Sequence, residues 1–317
     1  MNSTATSAQS QKHDNVEWVD LENPDAELLK QLEQEYHLHP VHLQESLQKV
    51  QHIQVEHEEN YLFLVLHAPI ADALTGKITI TQIGMFLGRD FLITIRSGAC
   101  PSVTDLFGRS QQHQPTAKQC FKRGSSYLLF MVIDVLLDGI SAMTDEVVGE
   151  LDDLEDLVFD NNKSDAERIG KVRQKIVRLR RVIGPKRIVL QDLAERIDSF
   201  SGQAMSKHYS NNTKTVHKLW EEIEEAKETV EIFKDADFTT STEQTNKILT
   251  VLTLVFTFTI PVTVVASLYG TNVLLPGGLE AGNWAFLGRY TTFIVLLVVS
   301  AVLATAMYIY FKSKKWF

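Results

Sequence analysis

Apolar residues recur along this chain in three regimes, and the changes of regime divide it. From Val16 to about Ile95, short apolar runs alternate with turn residues. Pro24-Asp25-Ala26-Glu27 opens a helical run through Leu28, Leu29 and Leu32, and Pro40 opens a second through Leu43 and Leu47. Proline suits the first turn of a helix, where its missing N–H is not needed. Ile53–Glu56, Tyr61–His67, Lys77–Phe86 and Phe91–Ile95 are rich in Ile, Val, Phe and Thr, with Gly88-Arg89-Asp90 as a tight turn between the last two. The pattern predicts a hairpin within a small α/β domain of four or more strands.

From about Lys118 to Phe200 the period becomes helical. Tyr127–Leu137 is strongly apolar, and Met143, Val147, Leu151, Leu154, Leu157 and Val158 continue at helical spacing. Asn161-Asn162-Lys163-Ser164 breaks that helix, and Ser164 with Glu167 forms a capping box for the next. The next helix carries Lys171, Arg173, Lys175, Arg178, Arg180 and Arg181, and is expected to be interrupted at Gly184-Pro185. Its basic run fits either a ligand or membrane-surface patch, or a solvated face paired with acidic neighbours.

The third regime is a run without Gly or Pro from Gln203 to Ile260. Val216, Leu219, Ile223, Ala226, Val230 and Phe233 are spaced three and four apart, as in a helix packed along one seam. Glu221, Glu222, Glu224, Glu225 and Glu228 occupy the outer face. The same register continues through Asp237, Thr240 and Gln244, so the seam turns polar before the next segment. A helix lining a wet passage accounts for that change; a frayed junction at a membrane surface is the alternative.

Ile248–Leu279 and Tyr290–Phe311, 32 and 22 residues, contain no Asp, Glu, Lys, Arg or His. About 20 apolar residues span a bilayer as a helix, so both qualify. The remainder is acidic, and a net charge of -9 argues against a nucleic-acid partner. Lys247 precedes the first span, and Lys312, Lys314 and Lys315 follow the second. Positive residues favour the cytoplasmic side, so both termini are expected there, in the cytoplasmic membrane. Tyr269, Trp284, Tyr308, Tyr310 and Trp316 sit where interface anchors would. Met1–Asn15 has no apolar core and reads as a disordered tail rather than a secretory signal. Cys100 and Cys120 form no CxxC pair and suit a reducing compartment.

The expected division is a tail over 1–15, an α/β and helical domain over 16–200, and a stalk helix over 201–247. A first membrane helix over 248–269, a loop over 270–289, a second membrane helix over 290–311 and a basic tail over 312–317 complete it. The first span carries Thr250, Thr253, Thr257, Thr259, Thr263 and Ser267 and has Pro261 in its middle. Asn246, Leu249, Thr253, Phe256, Ile260, Thr263 and Ser267 make one stripe at three-and-four spacing. Polar members of such a stripe could hold water around an ion, and the apolar members could close a pore by dewetting. Ser and Thr also serve ordinary packing between membrane helices. Neither GxxxxGK[ST], HExxH nor a Ser–His–Asp arrangement is present, so no enzyme is expected.

Tyr269-Gly270-Thr271-Asn272 after a Pro-containing span, the short loop, the second span and the ending Lys312-Ser313-Lys314-Lys315-Trp316-Phe317 resemble the CorA magnesium transporter family. His39-Pro40 with Glu45, and Glu59-Asn60-Tyr61-Leu62-Phe63-Leu64-Val65-Leu66, resemble its cytoplasmic domain. The resemblance implies a funnel-shaped homopentamer, an α+β membrane protein. Its cytoplasmic α/β domains would surround a bundle of stalk helices that continue as pore-lining first spans. Gly270 and Asn272, with Tyr269 and Thr271 between and before them, would form the entrance. An Asn272 amide ring can accept hydrogen bonds from the waters of Mg²⁺, an ion that sheds water reluctantly. Ile223→Asp is expected to put a charge ring in the stalk seam and weaken assembly.

Three departures from the family pattern matter. Thr271 stands where the family has Met, and other residues at that position occur in its zinc-transporting, ZntB-like branch. The loop Leu274–Glu280 has a single acid, Glu280. The family gates through inter-subunit acidic Mg²⁺ sites, for which Glu221, Glu222, Asp235 and Asp237 are candidates by type and location. Six of the ten histidines fall between His37 and His67. His37, His39 and His42 could approach Glu45 as ligands for zinc-class metals, or form a polar surface patch.

The leading expectation is passive passage of Mg²⁺, or Co²⁺ and Ni²⁺, driven by membrane potential. A Zn²⁺ transporter coupled to protons, and a non-conducting scaffold or sensor of the same fold, are the alternatives.

Overall fold

The computed structural model describes residues 7–48, 53–72, 76–159, 166–271 and 291–313. They form β1 (Ser7–His13), β2 (Val16–Glu22), α1 (Ala26–Tyr36), α2 (Pro40–Leu47), β3 (Gln54–His57), β4 (Tyr61–Ala71), β5 (Ile78–Gly88) and β6 (Phe91–Arg96). Then follow α3 (Pro101–Gln112), α4 (Gln114–Phe121), α5 (Ser125–Phe159), α6 (Ala166–Ser201), α7 (Ser206–Tyr269) and α8 (Thr291–Ser313). The chain forms two compact units, Met1–Asp237 and Phe238–Phe317, and α7 contributes to both.

The first unit is built on one six-stranded sheet in the order β1-β2-β6-β5-β4-β3. β2 and β6 run parallel and every other pair antiparallel. Alternation along β4 explains its unbroken hydrophobic run. Leu62, Leu64 and Leu66 join the large core shared with α3–α7, while Tyr61, Phe63 and Val65 join a second core under α1 and α2. A strand covered on both faces has no solvent side to make polar. The hairpin expected at Gly88-Arg89-Asp90 is present, with Leu87 opposite Leu92.

Three expectations are corrected. The tail assigned to 1–15 is in part a strand, because β1 pairs with β2 from Ser7↔Glu22 to His13↔Val16. An edge strand needs only backbone hydrogen bonds, so its polar sequence has no apolar alternation to read. Asp14, with φ 51°, and Asn15 connect the two strands, and both residue types tolerate the left-handed region. Second, α6 runs unbroken through Pro185. Pro185 removes one backbone hydrogen bond, but Val182, Ile183, Val189 and Leu190 around it are all buried, and their packing outweighs the loss. Gly184 lets the Trp220 ring approach, since a Cβ there would lie 2.9 Å from it.

Third, the α7 seam is buried within its own chain. Val216, Leu219, Ile223, Ala226, Val230 and Phe233 all belong to the core of the first unit. The apolar side of the stalk is therefore spent on packing within the chain itself. The basic run of α6 is a face paired with acidic neighbours, the second of the two readings its sequence allowed. Arg173 meets Glu231 at 2.8 Å, Lys175 pairs with Glu150 and Arg180 with Glu224. Arg180 and Arg187 lie over the Trp220 ring. The proposed capping residue Ser164 lies outside the described residues. Cys100 and Cys120 are both free and buried.

A buried ion pair ties β2 to β6. Asp20 accepts from Arg96 Nε at 3.1 Å and Nη2 at 2.8 Å, and from Thr94 Oγ1 at 2.6 Å. Removing Asp20 leaves the buried Arg96 with only the part-exposed Glu22, 3.2 Å from Nη1, and an under-compensated buried charge costs about 3 kcal/mol. Asp20→Ala is expected to lower the melting temperature of the full chain. Asp20→Leu with Arg96→Met should recover most of that loss, whereas equal destabilisation by both changes would contradict a charge-stranding cost.

Candidate functional site

The expected stripe lies on α7 within the second unit, ahead of the C-terminal end of that helix. Asn246, Leu249, Thr253, Phe256, Ile260, Thr263 and Ser267 are all exposed in the single chain, although Leu249, Phe256 and Ile260 are large and apolar. A helix in water buries such a face, so the stripe faces lipid or other protein. From Asn246 to Ser267 it covers about 31 Å, close to the hydrocarbon thickness of a bilayer. The Thr263 hydroxyl donates to Thr259 O at 2.9 Å. Its proton is thereby committed, and the oxygen remains an acceptor. Pro261 has no N–H for the Thr257 carbonyl, which interrupts the helical ladder at mid-span.

α7 ends at the sequence that carried the family resemblance. Gly270 N–H donates to Ala266 O at 3.0 Å and Ser267 O at 3.1 Å, and Thr271 N–H to Leu268 O at 3.3 Å. Thr271 Oγ1 donates to Leu268 O at 2.7 Å. The last turn is thus closed by Gly270 and Thr271, with the hydroxyl proton of Thr271 spent inward and its oxygen free to accept. A helix C-terminus carries about half a negative charge, which favours cations beside Tyr269–Thr271. Asn272 lies outside the described residues, as do Glu280, Trp284, Arg289, Lys314, Lys315 and Trp316.

α8 is apolar over most of its length, with Lys312 in its last turn, and the most apolar window of Phe293–Ser313 has a mean hydropathy of 2.4. A third helix, α5, is also long and apolar enough to cross a membrane, but half of its most apolar window is buried inside the first unit. It carries Asp134 and Asp138, and burial pushes the Asp134 carboxyl above its ordinary value, with Asp138 adding to the rise.

The acidic candidates do not gather in one chain. Glu221 is exposed and Glu222 is 3.2 Å from Lys218. Asp237 stands about 24 Å further along the helix than Glu221, so these residues cannot share an ion within a protomer. Asp235 is exposed beside Asp237 at the end of the first unit.

The histidine trio comes together in part, with the His39 and His42 rings 5.5 Å apart. His37 caps α1 in the left-handed conformation, and His39 caps α2 by accepting from Val41 N–H at 3.3 Å. His42 alone turns inward and is 4% exposed, which corrects the surface-patch alternative for this residue. Its Nε2 lies 3.1 Å from Glu56, a residue that the sequence pattern gave no reason to join to it. The missed signal is the β3–β4 pairing, which sets Glu56 opposite Phe63, the ring on which His42 stacks.

Residues 13–314 match the family described as CorA-like Mg²⁺ transporter protein. The chain is 25% identical over 281 residues to the cobalt/magnesium transport protein CorA of Thermotoga maritima, covering 88% of this chain and 77% of that protein. Its fold is similar to the complete structure of the CorA magnesium transporter from Methanocaldococcus jannaschii, with a TM-score of 0.79 and 19% identity. That match covers 98% of this chain and 94% of the other. The cytoplasmic domain of ZntB from Vibrio parahaemolyticus matches with a TM-score of 0.60 and 16% identity, over 73% of this chain and 90% of the other.

Proposed function

Because the chain belongs to the CorA-like Mg²⁺ transporter family, and so is a divalent cation transporter of membranes, we propose that it passes Mg²⁺ through a homopentamer. In this reading five copies of α7 meet along the stripe from Asn246 to Ser267, with α8 outside and both termini cytoplasmic. The supporting observation is the stripe itself, a mixed hydroxyl and apolar face of membrane length that is exposed among the described residues. Co²⁺ and Ni²⁺ are further candidates for passage.

The chemistry is that of a hydrated ion. Waters held by Mg²⁺ point their hydrogens outward and need acceptors. Thr263 and Thr271 have spent their hydroxyl protons on helix carbonyls and offer oxygen lone pairs. Asn272 amide oxygens at the mouth would do the same. Neutral acceptors hold the dication modestly and so release it, whereas Phe256 and Ile260 form collars that can dewet. Passage of two charges through 100 mV yields about 4.6 kcal/mol, so no nucleotide is required.

Asn272→Ala in reconstituted liposomes is expected to lower Mg²⁺ uptake at least about tenfold with the oligomer intact. Uptake equal to wild type would remove the mouth from this position. Thr271 favours one second reading, a Zn²⁺ transporter coupled to protons, because a hydroxyl oxygen replaces an apolar side chain at the entrance. Zn²⁺ uptake that exceeds Mg²⁺ uptake and follows an imposed pH gradient would select it.

A further inference from the structure

Among the described residues, His42, Glu45 and Glu56 place one ligand atom each within 4.8 Å of one another. We propose that these three side chains form a binding site for a zinc-class dication, one per chain, in the first unit. The inference rests on that unit alone and not on conduction through the stripe.

The local fold builds the site from four elements, α2, β3, β4 and β5. Glu45 follows His42 by three positions on α2, so both side chains leave the same helix face. Glu56 and Gln54 alternate on one face of β3, directed to the layer that holds α2. Gly84 of β5 allows α2 to lie close to the sheet, because any Cβ there would lie 2.3 Å from Ser46 Oγ. The His42 ring stacks on Phe63 at 4.5 Å and 14°, which sets its plane. Its Nδ1 lies 2.8 Å from Tyr61 Oη, leaving Nε2 to face Glu56. Gln54 Nε2 donates to Glu45 Oε2 at 2.8 Å and holds that carboxylate beside the ring.

This is the arrangement of a metal-binding histidine, whose second nitrogen is held by a polar neighbour while the first faces the ion. Zinc bonds to imidazole and carboxylate at about 2.0–2.2 Å, which sets tetrahedral ligand atoms about 3.4 Å apart. The His42–Glu56 separation of 3.1 Å is already close to that value. A buried imidazole selects Zn²⁺, Co²⁺ or Ni²⁺ over Mg²⁺, which takes oxygen ligands and keeps its waters. Three protein ligands leave a fourth position to water, so bound metal can exchange. Glu56 is half exposed, which provides the route of entry. The site is therefore suited to report the concentration of a zinc-class ion rather than to lock one in place.

The test uses the full chain, purified in detergent and stripped with a chelator, titrated with Zn²⁺ and with Co²⁺ against a chromogenic competitor. Wild type is expected to bind one more equivalent per chain than Glu56→Gln or Glu45→Gln, with the visible bands of four- or five-coordinate Co²⁺ lost in both variants. Tyr61→Phe should keep the equivalent but weaken it about tenfold. A large excess of Mg²⁺ should not displace it. Asn272→Ala, slowed in flux on the conduction reading, should keep the equivalent in full. Equal stoichiometry and affinity in wild type, Glu45→Gln and Glu56→Gln would overturn the site, and so would displacement by Mg²⁺.

Discussion

Ile223→Asp is expected to abolish cooperative folding of the first unit, seen as loss of the melting transition of the full chain in detergent. Ile223 is wholly buried and belongs to the large core that α7 shares with α5, α6 and the sheet. Removing the side chain costs about 2–5 kcal/mol, and an unpaired carboxylate in its place adds several more. The sum is comparable with the whole stability of a domain, about 5–15 kcal/mol. Ile232 lies on the same helix with 61% of its surface exposed, and Ile232→Asp is expected to change stability by no more than about 0.5 kcal/mol. Trp18 and Trp220, one in the sheet and one on α7, give the fluorescence signal for both measurements. If Ile223→Asp melted as wild type does and altered only the particle size, the seam would belong between copies instead.

The second expectation concerns pH. Lys186 on α6 is 1% exposed, and its ammonium donates to His67 O and, at 3.2 Å, to Val182 O. Burial pushes this amine down from 10.5 to about 7. In the unfolded chain the lysine keeps its proton up to its ordinary range. Between pH 7 and 10.5 the unfolded state therefore binds more protons than the folded one, and stability rises with pH across that window. Each unit is worth about 1.4 kcal/mol, so the full window amounts to about 5 kcal/mol. Lys186→Met carries no titrating group and should be more stable than wild type at pH 7. That advantage should shrink by about 2–3 kcal/mol by pH 9, or some 4–12 °C in melting temperature for a unit of this size. A difference independent of pH would mean that Lys186 is protonated in the fold throughout.

Both expectations come from side chains whose type was plain in the sequence and whose surroundings were not. The three-and-four spacing from Val216 to Phe233 identified a helix with one apolar seam, and α7 has that helix. Spacing has no term for what the seam meets, and a protomer's own α5 and α6 satisfy it as well as a neighbouring copy. Lys186 stands in the sequence as one more basic residue of a helix rich in them. Its position beside Pro185, on the face that carries Val182, Ile183 and Val189, turns it into the core instead of toward an acid.

The candidate site divides in the same way. The helix that carries the stripe and its end at Tyr269-Gly270-Thr271 were legible, because a long apolar helix is a local pattern and its end is marked by glycine. The commitment of the Thr263 and Thr271 hydroxyl protons was not, since it depends on which rotamer reaches a carbonyl. His42 and Glu45 could be paired by helical spacing. Glu56 reaches them only through the pairing of β3 with β4.

The order of residues alone settled the quantities that are periodic and local: two apolar spans, a long helix leading into the first, a sheet of buried strands, and the signature that ends in Asn272. Burial needs a partner from elsewhere in the chain, and partners are chosen by the whole packing. Tertiary structure therefore decided that the stalk seam closes on its own protomer, that Pro185 stays helical, that a polar N-terminal segment completes the sheet, and that one histidine among six meets two carboxylates.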